Sequence, residues 1–313
     1  MKDTELQDSL MHKGACLIAN DASGKGEAAE RLELLRGWLE RQPGRTALEI
    51  VHRGENLSEV ARRAVNDGYG TVIVAGGDGT ISTVAGVLAG TGVRMGVIPA
   101  GTFNYFARGL GIPEDIEGAL DVIETGVARP AQIGRINDKV FLNNASLGAY
   151  PAILDQREGI YRRWGRSRIA AHWSTVKALL TATRPQRMKV TVDGEVRRIK
   201  TPLVFIANSA YQLDEFELEG ADSIRNGEFA LFMAEDCGRW KMLLFAVKLA
   251  WRRMVAGRDM TLICGREIRI ESAKSHLLIA RDGEKERMKT PFVFKVEDDV
   301  LDVIVPGEGR PAA

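Results

Sequence analysis

Three glycines and an aspartate fill the four positions 76 to 79 in GGDG, directly after the apolar run TVIVA at 71 to 75 and before a helical pattern. A glycine-rich turn between a strand and a helix lets backbone N–H groups approach an anion, and the helix N-terminus adds partial positive charge. Asp78 sharpens that reading, because a carboxylate among phosphate-facing amides repels a phosphate unless it binds Mg2+ or orients a positive partner. The bland alternative is a turn that needs glycine for positive φ. Counting excludes two nucleotide motifs. G-x-G-x-x-G fails at Ser82, and in NDASGKGE the P-loop pattern meets Ala19 at its first glycine and Gly26 where Ser or Thr is required. A second cluster, Asp282-Gly283-Glu284 in LLIARDGEKE, sets two carboxylates two positions apart after an apolar run, and carboxylates can accept protons. Alternation along an extended strand would put both carboxylates on one face. The competing reading is a plain two-residue hairpin turn at Asp282-Gly283.

The elements that must position these residues follow two rhythms. Up to about residue 130, short apolar runs (ACLIAN at 15 to 20, ALEIV at 47 to 51, TVIVA at 71 to 75, MGVIPA at 95 to 100) alternate with helical patterns near 25–41, 57–67 and 80–89. Continuous apolar strands linked by helices predict a parallel sheet covered on both faces. Ligands bind beyond the carboxyl ends of such strands, where NDASGKG, GGDGT and AGTFN all fall. A helix over PEDIEGALDVIETG, 113 to 126, is expected to carry Glu114 and Asp115 in its first turn and to stop at Gly126. After it, short β-like runs dominate, with a hairpin signal at Asp193-Gly194 and two helical stretches at about 160–183 and 238–256. The expected fold is an α/β N-terminal domain, Rossmann-like, over residues 1–130, and an antiparallel β-sandwich over 131–306 whose last segment can pack back on the first domain. Residues 307–313 read as a frayed tail.

A chain of 313 residues, 45% hydrophobic, can bury two cores, and a net charge of +1 gives no sign of the basic surface of a dedicated nucleic-acid binder. Residues 1 to 135 hold 14 basic against 18 acidic side chains and the remainder 29 against 24, so the second half carries the basic surface. Cys16, Cys237 and Cys264 are too few and too scattered for a disulfide framework or a zinc site, which suits a reducing cytoplasm. MKDTELQDSLMHKG does not read as a signal peptide, and with no run of 18 apolar residues any membrane contact is expected to be peripheral, at the inner face.

GGDGTI at 76–81 followed by PAGTFNYFARGLGIP at 99–113 resembles the catalytic domain of the diacylglycerol kinase and sphingosine kinase superfamily, in its bacterial soluble lipid kinase branch. NDASGKG at 20–26 is similar to the family's first nucleotide loop, NNASLGAY at 143–150 to the start of its second domain, and DGE at 282–284 to its catalytic carboxylate motif. The resemblance covers nearly the whole chain. It implies ATP bound by the α/β domain and phosphoryl transfer to a lipid hydroxyl, diacylglycerol-like or sphingoid-like. By resemblance Gly76, Gly77, Asp78, Gly79 and Thr80 cradle the ATP phosphates, with Asp78 toward Mg2+ or its waters. Gly101, Thr102 and Asn104 add contacts from the next strand end, and Asn20, Ser23 and Gly24 line the same edge. Asp282 and Glu284 supply the base; which one takes the proton is left open. Four positions depart from the family. Ser82-Thr83 replaces its common Asn-Glu pair, and Tyr105 replaces the acid after the Asn of G-T-x-N-D-F-A. SIRNGEF has Asn226 where a structural Mg2+ site has an acid, so ligation by Ser223, Asn226 and Glu228 keeps an oxygen but loses a charge.

A lipid kinase must reach a bilayer. GRWKMLLFAVKLAWRRMVAGR, 238–258, and REGIYRRWGRSRIAAHW, 157–173, mix tryptophan with basic residues as an anionic membrane surface requires; the competing account packs their apolar stripes on the sandwich. Two other functional readings stand beside the lipid kinase. One is an NAD kinase-like enzyme acting on a soluble nucleotide, against which GTFNYFARGLG argues; the other is a nucleotide- or lipid-binding protein weakened in catalysis. Oligomeric state is open, a dimer included.

Overall fold

The computed structural model describes residues 14–20, 28–42, 44–52, 55–148, 185–234 and 260–307. The chain divides into two units, Met1–Ile133 with Glu297–Ala313, and Gly134–Val296.

In the first unit, β1 (Ala15–Asn20), α1 (Ala28–Glu40), β2 (Thr46–Val51), α2 (Leu57–Asn66), β3 (Thr71–Gly76), α3 (Asp78–Leu88) and β4 (Arg94–Pro99) alternate as the hydrophobic runs predict. They are followed by α4 (Tyr105–Gly109), α5 (Ile116–Thr125) and β5 (Val127–Pro130). The sheet runs β2-β1-β3-β4-β18-β5, where β18 (Asp302–Val305) comes from the end of the chain; all pairs are parallel except β18 with β5. Leu17, Ile18, Ile73 and Val74 are fully buried, the signature of strands covered on both faces, and each such side chain contributes about 1.5–3 kcal/mol by leaving water. Pairing of Ala19 with Ala75 and of Gly76 with Pro99 levels the carboxyl ends of β1, β3 and β4, so the loops that leave them start side by side. Burial pushes the Cys16 thiol up to about 12, assisted by Glu49, which makes it a core group and no nucleophile.

The helix expected from 113 starts later. Asp115 is the N-cap, its carboxylate accepting from Gly118 N–H at 2.7 Å, so Glu114 precedes the helix instead of sitting in its first turn.

The second unit is an antiparallel sandwich. One sheet runs β10-β9-β14-β17-β6-β7, from β6 (Ile133–Ile136), β7 (Lys139–Phe141), β9 (Gln186–Val192), β10 (Glu195–Thr201), β14 (Glu267–Ser272) and β17 (Phe292–Glu297). The other runs β13-β12-β11-β8-β15-β16, from β8 (Asn144–Gly148), β11 (Leu203–Ala207), β12 (Phe229–Ala234), β13 (Met260–Gly265), β15 (His276–Arg281) and β16 (Glu284–Lys289). A single apolar cluster, including Phe141, Val190, Ile268 and Phe294 of the first sheet and Leu147, Ile206, Phe229 and Ile279 of the second, fills the space between. Behind the second sheet, α6 (Ala210–Glu215) and α7 (Ala221–Arg225) pack Leu213 and Ile224 on Phe232 and Ala230. Asp193 and Gly194, at φ 45° and 92°, turn β9 into β10 as the dipeptide predicts. The helical stretches expected at 160–183 and 238–256 lie outside the described residues, as do residues 308–313 of the tail. Among the described residues, no helix is long and apolar enough to cross a membrane.

Candidate active site

The residues expected to hold phosphate that lie among the described residues form one cluster in the first unit. α3 begins at Asp78 with Gly77 as its N-cap and no side chain capping it, so the first-turn N–H groups are not answered by a cap side chain. The glycines are not there for positive φ: Gly77 has φ −83°, and Gly76, Gly79 and Gly101 are absent from the left-handed region. Close approach demands them. A Cβ on Gly101 would stand 2.7 Å from the Gly77 Cα, and one on Gly76 would stand 2.6 Å from the Thr80 Cβ. The loops after β3 and β4 therefore touch backbone to backbone, which replaces the turn reading with a cradle that any side chain would fill.

Side chains lock this cradle. Asn20, at the end of β1, donates to the Thr80 hydroxyl at 2.9 Å, tying the first loop's root to α3. Asn104, buried and left-handed at φ 51°, accepts from Gly101 N–H at 2.9 Å and donates to Glu114 at 2.9 Å. The Asp78 carboxylate accepts from Phe106 N–H at 3.4 Å and so spans from the helix start to α4. Thr102 is exposed at the rim. Ser23 and Gly24 lie outside the described residues.

The departures from the family pattern acquire local explanations. Thr83 returns its hydroxyl to the Gly79 carbonyl at 2.8 Å, and Ser82 is buried. The Tyr105 ring stacks on that of Phe103, with centroids 5.5 Å apart. The carboxylate that meets Asn104 comes instead from Glu114, whose other oxygen lies 3.7 Å from Arg108 Nε. Sequence reasoning missed Glu114 because it assigned that residue to the helix.

The second cluster belongs to the sandwich. Asp282 and Gly283, at φ 46° and 85°, form a two-residue turn between β15 and β16. The expectation that strand alternation aligns Asp282 with Glu284 is corrected: Asp282 is not in extended conformation. Its carboxylate folds back onto the crossover from β7 to β8 and accepts three consecutive N–H groups, from Leu142 at 2.7 Å, Asn143 at 2.8 Å and Asn144 at 3.1 Å. Glu284, the first residue of β16, is exposed. The crossover is itself held from below. Buried Asn208 donates its side-chain N–H to the Leu142 carbonyl and its backbone N–H to the Asn143 carbonyl, each at 2.8 Å. Asn144 donates to Gln212 at 3.0 Å, and Ser209 caps α6 through Gln212 N–H. Asn208 and Gln212 went unnoticed in the sequence; an Asn-Ser step straight after the apolar run LVFIA was the available signal.

The expected structural metal loop does not suit a cation. Asn226 ends α7, the Ser223 carbonyl accepts from Glu228 N–H at 3.0 Å, and the Gly227 carbonyl takes the Arg266 guanidinium at 2.6 Å, a positive group where the metal's charge would be needed. Among the described residues, no three His, Cys, Asp or Glu side chains gather as a metal site.

The chain thus combines a parallel sheet with glycine loops along one edge and an antiparallel sandwich. Residues 14–136 match the model of the diacylglycerol kinase catalytic domain, and residues 156–305 that of the YegS C-terminal NAD kinase beta sandwich-like domain. A diacylglycerol kinase of Bacillus subtilis (strain 168) is 31% identical over 226 residues, covering 71% of this chain and 73% of that one. One of Staphylococcus aureus (strain MRSA252) is 39% identical over 140 residues, 44% of each chain. The crystal structure of a diacylglycerol kinase from Bacillus anthracis str. Sterne shares the fold, with a TM-score of 0.68 at 22% identity over 94% of this chain and 97% of that one. The chain belongs to the diacylglycerol kinase family, a family of lipid kinases, and is an enzyme of that class.

Proposed function

We propose that the protein transfers the terminal phosphoryl group of ATP to the hydroxyl of a diacylglycerol-like or sphingoid-like lipid, with Mg2+. The observation that carries this reading is the contact of Gly77 with Gly101 at an uncapped helix N-terminus, a cradle whose floor is backbone and whose field suits phosphate. The N–H groups of Gly77 to Thr80 would bind the phosphates, with Asn20 and Asn104 fixing the loops that present them. Phosphoryl transfer asks mainly for such positioning and charge stabilisation. Mg2+ takes one or two carboxylates together with phosphate oxygens, so Asp78 fits as its protein-side oxygen; when bound, the ion neutralises charge developing on the transferred group. Asp282 and Glu284 would supply the base. Three amides hold the Asp282 carboxylate in place, the support a proton acceptor needs to sit within hydrogen-bond reach of the lipid hydroxyl.

The test incubates the protein with radiolabelled ATP, Mg2+ and an extracted lipid mixture, with diacylglycerol, a sphingoid base and NAD as separate acceptors. Label in diacylglycerol or the sphingoid base is expected. Label in NAD alone, or in no acceptor, sinks the reading.

A further inference from the structure

Asn104 holds the loop after β4 in the shape that meets Gly77, and a side chain ten positions away decides which way its amide faces. Asn104 is 4% exposed and left-handed, at φ 51° and ψ 35°. Its Oδ1 accepts from Gly101 N–H at 2.9 Å, and its amide nitrogen donates to the Gly101 carbonyl at 3.3 Å and to the Glu114 carboxylate at 2.9 Å. An amide has an acceptor at one end and donors at the other, whereas a carboxylate only accepts, so only the nitrogen can face Glu114. Turned end for end, Asn104 would set its N–H groups against Gly101 N–H and its oxygen against the carboxylate. Gly101 is wedged in turn: a Cβ on it would stand 2.7 Å from Asn104 Oδ1 and 2.7 Å from the Gly77 Cα. Contacts therefore run from Glu114 through Asn104 and Gly101 to Gly77, the N-cap of α3. The ion pair of Glu114 with Arg108, at 3.7 Å and partly exposed, is of the solvated kind that contributes little to stability.

We infer that Glu114 is a positioning residue for ATP: by fixing the amide of Asn104 it holds the β4 loop against the start of α3. Asn104 answers Gly101 N–H itself, so the cradle offers a phosphate the N–H groups at the start of α3, where no side chain caps the helix. Its charge strengthens the hold, because a hydrogen bond to a carboxylate is about twice as strong as one between neutral groups. Asp115 makes this reach available by taking the N-cap of α5 and leaving Glu114 outside the helix. The inference rests on the reading of the cradle as an ATP site.

The test measures ATP affinity by calorimetry with Mg2+ present, beside the KM for ATP and the KM for a short-chain diacylglycerol in detergent micelles. Glu114→Ala leaves an amide N–H of Asn104 without its acceptor and should weaken ATP binding about tenfold. Glu114→Lys sets donor against donor and should weaken it further. Glu114→Gln keeps an acceptor and should stay within about threefold of wild type. The KM for ATP should follow the affinity while the KM for the lipid stays constant. Asn104→Asp opposes two carboxylates and should also lose affinity; adding Glu114→Gln gives the new carboxylate a donor and should restore binding to within about threefold of wild type. A merely structural role predicts instead that both KM values move together and that the double variant is worse than either single change. Thermal midpoints control for folding, and where Glu114→Lys does not fold, Glu114→Ala and the swap decide. Unchanged ATP affinity in Glu114→Ala, or a double variant no better than Asn104→Asp, would overturn the inference. No ATP binding by the wild type would overturn it together with the ATP site itself. A protein that binds ATP, loses it on Glu114→Lys and labels no lipid defeats the lipid-kinase reading alone.

Discussion

The sandwich contains two Asp-Gly hairpins with similar left-handed φ angles, 45° and 92° against 46° and 85°, and different settings. Asp193-Gly194 and Asp282-Gly283 both turn through left-handed residues, and both aspartates lay their carboxylates on backbone N–H groups of another segment. Asp193 accepts from Arg266 at 3.0 Å and Glu267 at 2.8 Å, at an exposed sheet end. Asp282 accepts three amides of a crossover that carries buried Asn143 and Asn144 and has buried Asn208 and Ser209 next to it, between β11 and α6. The carboxylate-on-amide clamp is therefore a general way to pin a hairpin and does not by itself mark catalysis. What separates the two is the buried polar bed, which is expensive to maintain without a purpose because each buried polar group must be satisfied.

Substitutions can break or sharpen this contrast. The largest effect is expected for Asp282→Ala, which removes the proposed base and leaves three N–H groups without their acceptor: kcat should fall at least about 100-fold and stability by about 2 kcal/mol or more, read by label transfer and urea titration. Asn208→Ala should follow, lowering kcat roughly 10-fold to 100-fold by loosening the crossover, with the KM for ATP unchanged. In a double-mutant cycle with Asp282→Asn its effect should vanish; multiplying rates would show that Asn208 acts elsewhere. Asp193→Asn should cost about 1–2 kcal/mol in urea titration and leave kcat untouched, since a neutral amide keeps one acceptor and loses a charge-assisted bond. The smallest effect concerns pH at the strand beside that hairpin. Hydrogen bonds from Arg269 and then Lys189 hold the Glu271 carboxyl below its ordinary 4.5. A depressed value means this stabilisation is full above 4.5 and is lost only as pH falls through the lowered folded value, so a Glu271→Gln variant should match wild type in strongly acidic solution and diverge above pH 4.5.

Much of this fold was legible because its signals are local. Buried parallel strands read as continuous apolar runs, so ACLIAN and TVIVA were found almost to the residue. Asp-Gly between β-like runs announces the turn at Asp193, whereas at Asp282 the same dipeptide reads as part of an extended strand. The site was legible in its residue types and much less in their reasons. That GGDG is packed by close approach, not by φ, depends on Gly101, a contact across 24 positions that no periodicity encodes. The hold on Asp282 spans about 140 positions, from a turn to a crossover whose amides carry no side-chain signature. Glu114 was misplaced because Pro-Glu-Asp fits a helix start at three neighbouring positions, and only the Asp115 cap selects one.

The central claim, that one Asp-Gly hairpin serves phosphoryl transfer and its near twin serves only the fold, is tested most directly by measuring transfer of label from ATP to diacylglycerol by Asp282→Asn and Asp193→Asn side by side. Loss of at least about 100-fold in the first, with wild-type rates in the second, is the expected result. Equal rates in the two variants, whether both preserved or both lost, would contradict it.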